Sequence, residues 1–386
     1  MTLSNQIRAR LGEISLGGAA LCMLCLASAA HAEDATSLTI ATWGGAYGQS
    51  QQAAYFQPFT ESTGTKITAV TYDGSFEAIK TKLGESPAPD VLDLSSGSLD
   101  RLCRDGLLEA VDPATLGTSE GAGADDFLAG GLPSCGVASM AWAMALVIDK
   151  QSFPKGAPSK IADLLDLKAY PGKRALPNGP RYTLELALLA DGVAPDQVYT
   201  ELATPAGVDR AFAALDKIKP EIVWWNTATE PIALLASKKA AIAVGYSGRI
   251  FRALAGSRES MDLLWDGQIY DLDIWAVPKS APNKDAAKRF IAFAATPERL
   301  AAQARLIGYG PMRKSAIPLV GKHPEIGVEM MRFLPTAPEN FKNALKFDEA
   351  WWNEHGGDLA KRFETWRELA ATAQGAAPEP KKTQPQ

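Results

Sequence analysis

The sequence predicts an α/β fold divided into two lobes, and three observations carry that expectation. Short β-prone segments alternate with amphipathic helical ones, the pattern that builds a parallel sheet with ligands at the carboxyl ends of its strands. The 386 residues leave roughly 350 after removal of an export signal, enough for two bodies with cores of their own. The composition, 46% hydrophobic and 22% charged, is that of a globular chain. No later apolar run approaches the ~20 residues needed to cross a bilayer, so a soluble mature protein is expected.

The N-terminal head has the layout of a secretory signal. Arg8 and Arg10 lie within residues 3–13, Leu16 to Ala30 is small and apolar, and Ala30-His31-Ala32 is an A-x-A cleavage site. Cleavage after Ala32 would deliver the mature chain to the periplasm. It would remove Cys22 and Cys25, neither of which follows a convincing lipidation box. Cys103 and Cys135 then remain as an even pair in an oxidising compartment, which reads as one disulfide; two buried free thiols are the alternative. Such a bridge would stabilise by roughly 3 kcal/mol in the chain-entropy model. Loss of two arginines and Glu13 shifts the formal charge from −5 to −6. A mildly acidic chain offers no basic patch for nucleic acid or an anionic membrane surface.

The elements follow in order. Leu38 to Thr42 is β-prone and ends at Trp43-Gly44-Gly45. A helix over Gln49 to Glu61 is expected, interrupted at Pro58 and stopped at Gly64. Lys66 to Tyr72 is the next strand, and Ser75 caps a helix whose face holds Phe76, Ile79 and Leu83. Asp90 to Ser95 is a short strand, followed by a helix marked by Leu99, Leu102 and Cys103 and ended by Gly106. Met140 to Ile148 is a longer β-like run that can carry the chain into a second lobe. That lobe holds helices over Thr183 to Ala190 and Asp209 to Ile218 and a strand over Ala241 to Tyr246. Ile274 to Val277 offers a second crossing, after which Asp285 onward is helical and Thr296-Pro297-Glu298 opens another helix. The tail from Gly375 to Gln386 lacks large apolar residues and is expected to be disordered.

Six ordered segments together resemble one known family: TIATWGGAYG (39–48), PFTESTGTKI (58–67), CRDGLLEAVDP (103–113), AVGYSGRIF (243–251), DLDIWAVPKSAPN (271–283) and RLIGYGP (305–311). The chain resembles the periplasmic substrate-binding proteins of ABC importers, in the branch of the spermidine/putrescine binders, over nearly all of residues 37–372. The resemblance implies a type II periplasmic-binding-protein fold, each lobe a mixed sheet flanked by helices, joined by a two-crossing hinge. It divides the chain into lobe 1 (37–147 with 276–315) and lobe 2 (148–275 with 316–372), with hinges near 146–150 and 273–278. It implies a monomer that captures a small-molecule solute, closes on it and docks on an inner-membrane permease, with no cofactor, no metal and no chemistry of its own.

In the resembled receptors aromatic rings sandwich a methylene chain while carboxylates hold ammonium groups, because a buried cation needs an acceptor placed for it. Carried over by position, Trp43 and Tyr47 match the aromatics after the first strand, and Ser96 matches a serine at a strand end. Asp273 matches the carboxylate before the second crossing, Tyr309 the tyrosine of the I-G-Y segment, and Glu185 a second-lobe acid. Tyr246 stands where polyamine binders usually show tryptophan, and Asp271 where an aromatic is more common. A polyamine is therefore the leading solute. An amino-acid-like, quaternary-ammonium or other small organic solute is the alternative.

Plainer roles compete with these. Trp43 and Tyr47 can pack, Asp73-Gly74 is a turn signal first, and Asp271 and Asp273 alternate with Leu272 and Ile274 as on a strand with one polar face. Of Trp224 and Trp225, adjacent on a strand, at most one faces a cleft, and Trp225 is the candidate. Trp351 and Trp352 read as packing for the last helices. Arg249 would favour a carboxylate-bearing solute or neutralise Asp271 or Asp273. An enzyme using Cys103 or Cys135 as nucleophile is the remaining class. It lacks a base, since the mature chain has only His323 and His355, both in polar segments. No HExxH, GxSxG, P-loop or mature CxxC occurs.

Overall fold

A computed structural model describes residues 37–116, 123–256 and 260–373. The expected export signal with Cys22 and Cys25, and the tail 375–386 expected to be disordered, lie outside the described residues. The chain opens with β1 (Ser37–Thr42), α1 (Gly45–Gln51) and α2 (Gln57–Thr63). Residues 45–63 form one helical run instead of the two pieces expected around Pro58, because a π turn over Gln52–Phe56 lies just before it. A wide turn there avoids the clash between the proline ring and the carbonyl four residues back. Gly64 ends the run in the left-handed region, its N–H donating to Thr60 O at 2.8 Å.

Next come β2 (Lys66–Thr71), α3 (Phe76–Leu83), β3 (Val91–Ser95) and α4 (Ser96–Arg104). Ser75 caps α3 as expected, its Oγ accepting from Ala78 N at 3.2 Å. The long strand β4 (Val137–Asp149) precedes β5 (Arg174–Pro177), α5 (Thr183–Ala190), α6 (Val198–Leu202) and α7 (Pro205–Asp216). After them lie β6 (Ile222–Trp225), α8 (Glu230–Ala236), β7 (Ile242–Tyr246) and α9 (Ser247–Ala255). A second long strand, β8 (Met261–Ala276), leads to α10 (Lys284–Ala294), α11 (Pro297–Ala304), β9 (Leu345–Lys346) and α12 (Glu349–Ala373).

The strands lie in the order β2-β1-β3-β8-β4-β7-β5-β6, with β9 beside β8. Strand–helix alternation predicts a parallel sheet, and the outer pairs β1/β2, β1/β3, β5/β6 and β5/β7 obey it. The centre does not: β3/β8, β8/β4 and β4/β7 are antiparallel. The two long strands carry the chain out and back, so they run against each other and against β3 and β7, while the short β9 lies parallel to β8.

Two cores flank this central pair. In the first, Leu38, Ile40, Phe56, Phe59, Trp275 and Phe290 pack on one side and Ile79, Leu92, Leu99 and Leu272 on the other. The second gathers Leu146, Leu176, Leu184, Phe212, Ile242 and Trp352. Burying each such side chain contributes about 1.5–3 kcal/mol. This is the two-lobe type II periplasmic-binding-protein architecture, its lobes linked through β4 and β8. Buried side chains from Ala316 to Ala337 join the core of Leu38 and Phe56. We therefore propose that the first lobe extends to about residue 337 instead of ending at 315. Among the described residues no helix is long and apolar enough to cross a membrane.

Cys103 of α4 is bonded to Cys135, 32 residues on. Reduction is expected to lower stability by about 3 kcal/mol, read as a shifted midpoint in urea unfolding with and without reductant. Coincident curves would remove that contribution.

Candidate functional site

The site forms where β1, β3, β4, β7 and β8 end or cross, and it begins with two glycines. Gly44 has φ 71°, and a Cβ there would lie 2.8 Å from Thr71 Cγ2. Only glycine lets the chain turn so close to β2 and start α1 immediately. That start aims Tyr47 inward. Its hydroxyl donates to Asp93 Oδ2 at 2.8 Å and lies 3.2 Å from Ser139 Oγ. Trp43, half-buried, sets its ring 5.8 Å from Tyr72 and lies flat against Gly74, where any Cβ would overlap the indole. Asp73 makes the turn expected of it, accepting from Ser75 N at 2.9 Å.

Three aspartates are buried here. Asp93, in the middle of β3, is fully enclosed; its Oδ2 also accepts from Gln51 Nε2 at 2.7 Å, while Oδ1 has no partner. Burial pushes its carboxyl up to about 7, against the pull of donors from Tyr47, Gln51 and Thr42. Asp271 accepts from Ser96 Oγ at 2.5 Å, and burial likewise raises it to about 7. Asp273 is held well above the carboxylate range by burial, then by the like charges of Asp93 and Asp271, with Trp142 and Tyr47 side chains hydrogen-bonded to it. Among the described residues no group of three acidic, histidine or cysteine side chains is placed to hold a metal ion.

Rings line the rest. Tyr309 packs edge-on to Tyr47 at 5.9 Å and rests on α9, where a Cβ at Gly248 would fall 2.7 Å from its ring. Paired bonds of 2.8 Å between Ala141 and Gly310 fix this segment to β4. Tyr246, at the end of β7, lies 5.6 Å from Trp142 and 6.4 Å from Trp225. Trp224 turns the other way, onto Phe363 and Trp366 of α12, as strand alternation requires. Arg249, exposed in the first turn of α9, lowers the Tyr309 hydroxyl's pKa, while burial and Asp273 raise it to about 12.

The structure thus gathers Trp43, Tyr47, Ser96, Trp225, Tyr246, Arg249, Asp271, Asp273 and Tyr309 around one region. Glu185 is the exception. It is fully buried in α5, its Oε1 accepting from Trp352 Nε1 at 2.5 Å and from Tyr199 Oη at 3.2 Å. Every residue of α5 is buried, so this carboxyl anchors α12 to the second core and does not join the site. Trp352 is therefore packing, as expected, and Trp351 stacks on His355 at 4.4 Å.

Sequence reasoning missed four contributors. Asp93 sits within V-L-D-L-S, Ser139 and Trp142 lie in the small-residue run of β4, and Tyr182 precedes α5. Tyr182 has φ 66°, rare for a large side chain, and its ring lies 4.7 Å from Phe347 and 6.5 Å from Trp142. The start of α12 also reaches the first lobe. Glu349 Oε2 accepts from Ser95 Oγ at 2.8 Å and from Gly97 N at 3.2 Å, an approach that a Cβ on Gly97 would block.

Rings and buried carboxyls thus meet where β3, β4, β7 and β8 come together. Residues 54–327 match the model of the bacterial extracellular solute-binding protein family. The chain belongs to that family. It is a receptor for a small organic solute, in a family without catalytic activity. Among its relatives is the gamma-aminobutyric acid-binding protein of Pseudomonas aeruginosa, 39% identical over 346 residues, covering 89% of this chain and 94% of that one. The spermidine/putrescine-binding periplasmic protein of Escherichia coli is 23% identical over 349 residues, again 89% and 94% of the two chains. The crystal structure of an ABC transporter substrate-binding protein from Bradyrhizobium japonicum USDA 110 matches with a TM-score of 0.71 at 30% identity, covering 86% of this receptor and 99% of that chain.

Proposed function

We propose that the receptor captures a small zwitterion of the γ-aminobutyrate type in the periplasm and delivers it to an ABC permease. The observation that carries this reading is that the Tyr309 hydroxyl, packed against Tyr47, feels both the carboxyl of Asp273 and the guanidinium of Arg249. A site that offers both buried carboxyls and a guanidinium matches a molecule with an ammonium and a carboxylate. Tyr47, Tyr246, Tyr309 and Trp142 supply faces for the short methylene chain between them. Relatedness to the γ-aminobutyrate binder at 39% identity supports the same solute class.

A polyamine is the second reading, favoured by the three buried carboxyls Asp93, Asp271 and Asp273 and by relatedness to the spermidine/putrescine binder. Two features weigh against it. The carboxyls are too crowded to ionise together without cost, and Arg249 opposes a second ammonium head. The solute's lodging between the lobes would hold them closed, with β4 and β8 flexing. The chain acts as a monomer, released by cleavage after Ala32.

A thermal-shift screen of residues 33–386, stripped of solute by unfolding and refolding, tests the reading. A solute at 100 times its Kd adds roughly 2.7 kcal/mol of stability. γ-Aminobutyrate and its homologues are expected to raise the melting temperature, and putrescine and butyrate are not. A rise with putrescine or spermidine alone would replace the zwitterion by a polyamine.

A further inference from the structure

We propose that Asp93 and Asp273 hold one proton between them around the Tyr47 hydroxyl in the empty receptor, and that the solute's ammonium group displaces it. Capture then releases a proton. The proposal deepens the reading above, since it requires only that the solute carry an ammonium group.

The hydrogen-bond count makes the case. Tyr47 Oη has one proton to give, and it is directed at Asp93 Oδ2, 2.8 Å away. Asp273 converges on the same hydroxyl. The neighbouring Ser139 hydroxyl is committed, donating to the backbone carbonyl of Asp273 at 3.0 Å. Tyr72 donates to the backbone carbonyl of Asp93, not to its carboxyl. Asp93 Oδ1 is buried without a hydrogen bond of ordinary geometry, and the donor beside Asp93 that remains is the neutral side chain of Trp43, itself buried and unpartnered at Nε1. Two ionised carboxyls would thus meet at one hydroxyl proton, with only neutral donors beside them.

The surrounding groups do not supply the missing positive charge. From α1 come Tyr47 and Gln51, from β1 Thr42 and from the turn after it Trp43, and from β4 Ser139 and Trp142, all neutral. From β8 comes Asp271, of the same sign. The Arg249 guanidinium acts on the Tyr309 hydroxyl and is not among the main charges felt by either aspartate. Arg299 acts on Tyr55, which in turn feels Asp93. Like carboxyls placed this way hold a proton that each alone would lose, and burial, which raises both, acts in the same direction.

An arriving ammonium supplies three N–H donors and a positive charge. One O–H bond breaks, its proton leaves to solvent, and N–H···O bonds form to the freed carboxylate. Release of one proton makes affinity rise by about tenfold per pH unit until the pair ionises unaided.

Calorimetry of γ-aminobutyrate binding at pH 7, in buffers of different protonation enthalpy, counts the proton. The expected result is close to one proton released per solute, falling toward zero in Asp93→Asn. Binding with no proton released would overturn the proposal and leave the zwitterion reading standing. Unchanged release in Asp93→Asn would also overturn it, by moving the proton elsewhere. If γ-aminobutyrate fails to bind, the solute reading fails instead. The stored proton is then read in the solute-free receptor, where the infrared carbonyl absorption of protonated carboxyls should be weaker by one group in Asp93→Asn than in the wild type, over the constant background of Asp271 and Glu185. Identical spectra would refute it.

Discussion

Replacing Asp273 with asparagine is expected to weaken binding of an ammonium-bearing solute at least tenfold while making the empty receptor more stable at pH 8. The two effects share a cause. Asp273 is buried beside Asp93 and Asp271, so its ionised form is costly without a cation. Asn keeps the shape and removes the charge. The sign of the pH dependence follows from carboxyls raised in the folded state: they favour folding below about pH 4, and that contribution is lost as pH rises through the raised values near 7. Each unit of upward shift costs about 1.4 kcal/mol in full, so the site as a whole withdraws a few kcal/mol from the empty receptor between pH 5 and pH 8. Thermal unfolding should therefore show wild type gaining on the variant as pH falls, and calorimetry should show the lost affinity. Unchanged affinity would remove Asp273 from the site. A wild type that is more stable at pH 8 than at pH 5 would contradict the burial argument.

Arg249→Met is expected to separate the two solute classes. A charge-assisted hydrogen bond to a carboxylate contributes about 1.5–3 kcal/mol, so losing it should weaken γ-aminobutyrate binding by roughly ten- to hundredfold. A diamine gains from the same change, because the guanidinium no longer repels its second head. Arg249 is exposed and the Met side chain keeps its apolar stem, so the fold should be untouched. Competition calorimetry with γ-aminobutyrate and putrescine reads the effect directly. Equal losses for both would mean that Arg249 acts only through Tyr309, and no loss for either would remove it from recognition.

The fold was largely legible because its signals are local. Gly64 and Gly106 both take positive φ at helix ends, Ser75 caps where it should, and β1, β2, β3 and β7 fall within a residue or two of their β-prone runs, whereas β5 and β6 had no run marked for them. What local pattern cannot show is direction, so the antiparallel centre made by β4 and β8 was invisible. The site divides on the same line. Trp43 follows the end of β1, Tyr47 lies one turn into the helix after it, and Tyr246 ends β7, positions legible from the β-prone runs before them and of the kind where α/β folds place ligands. Asp93 was missed because a carboxylate alternating with leucines looks the same on a solvated strand as on a buried one. Its burial comes from Tyr47 and Gln51 of α1, many residues away in sequence. Glu185 failed in the opposite sense. A helix buried on every side has no polar face to aim a carboxylate, and the partner that claims this one, Trp352, lies 167 residues on.

A crystal structure of the receptor soaked or grown with γ-aminobutyrate bears most directly on the central claim. The ammonium should lie against Asp273 and Asp93, the chain along Tyr309 and Tyr246, and the carboxylate on Arg249. A solute bound with its carboxylate away from Arg249, or excluded while putrescine occupies the carboxyls, would contradict it.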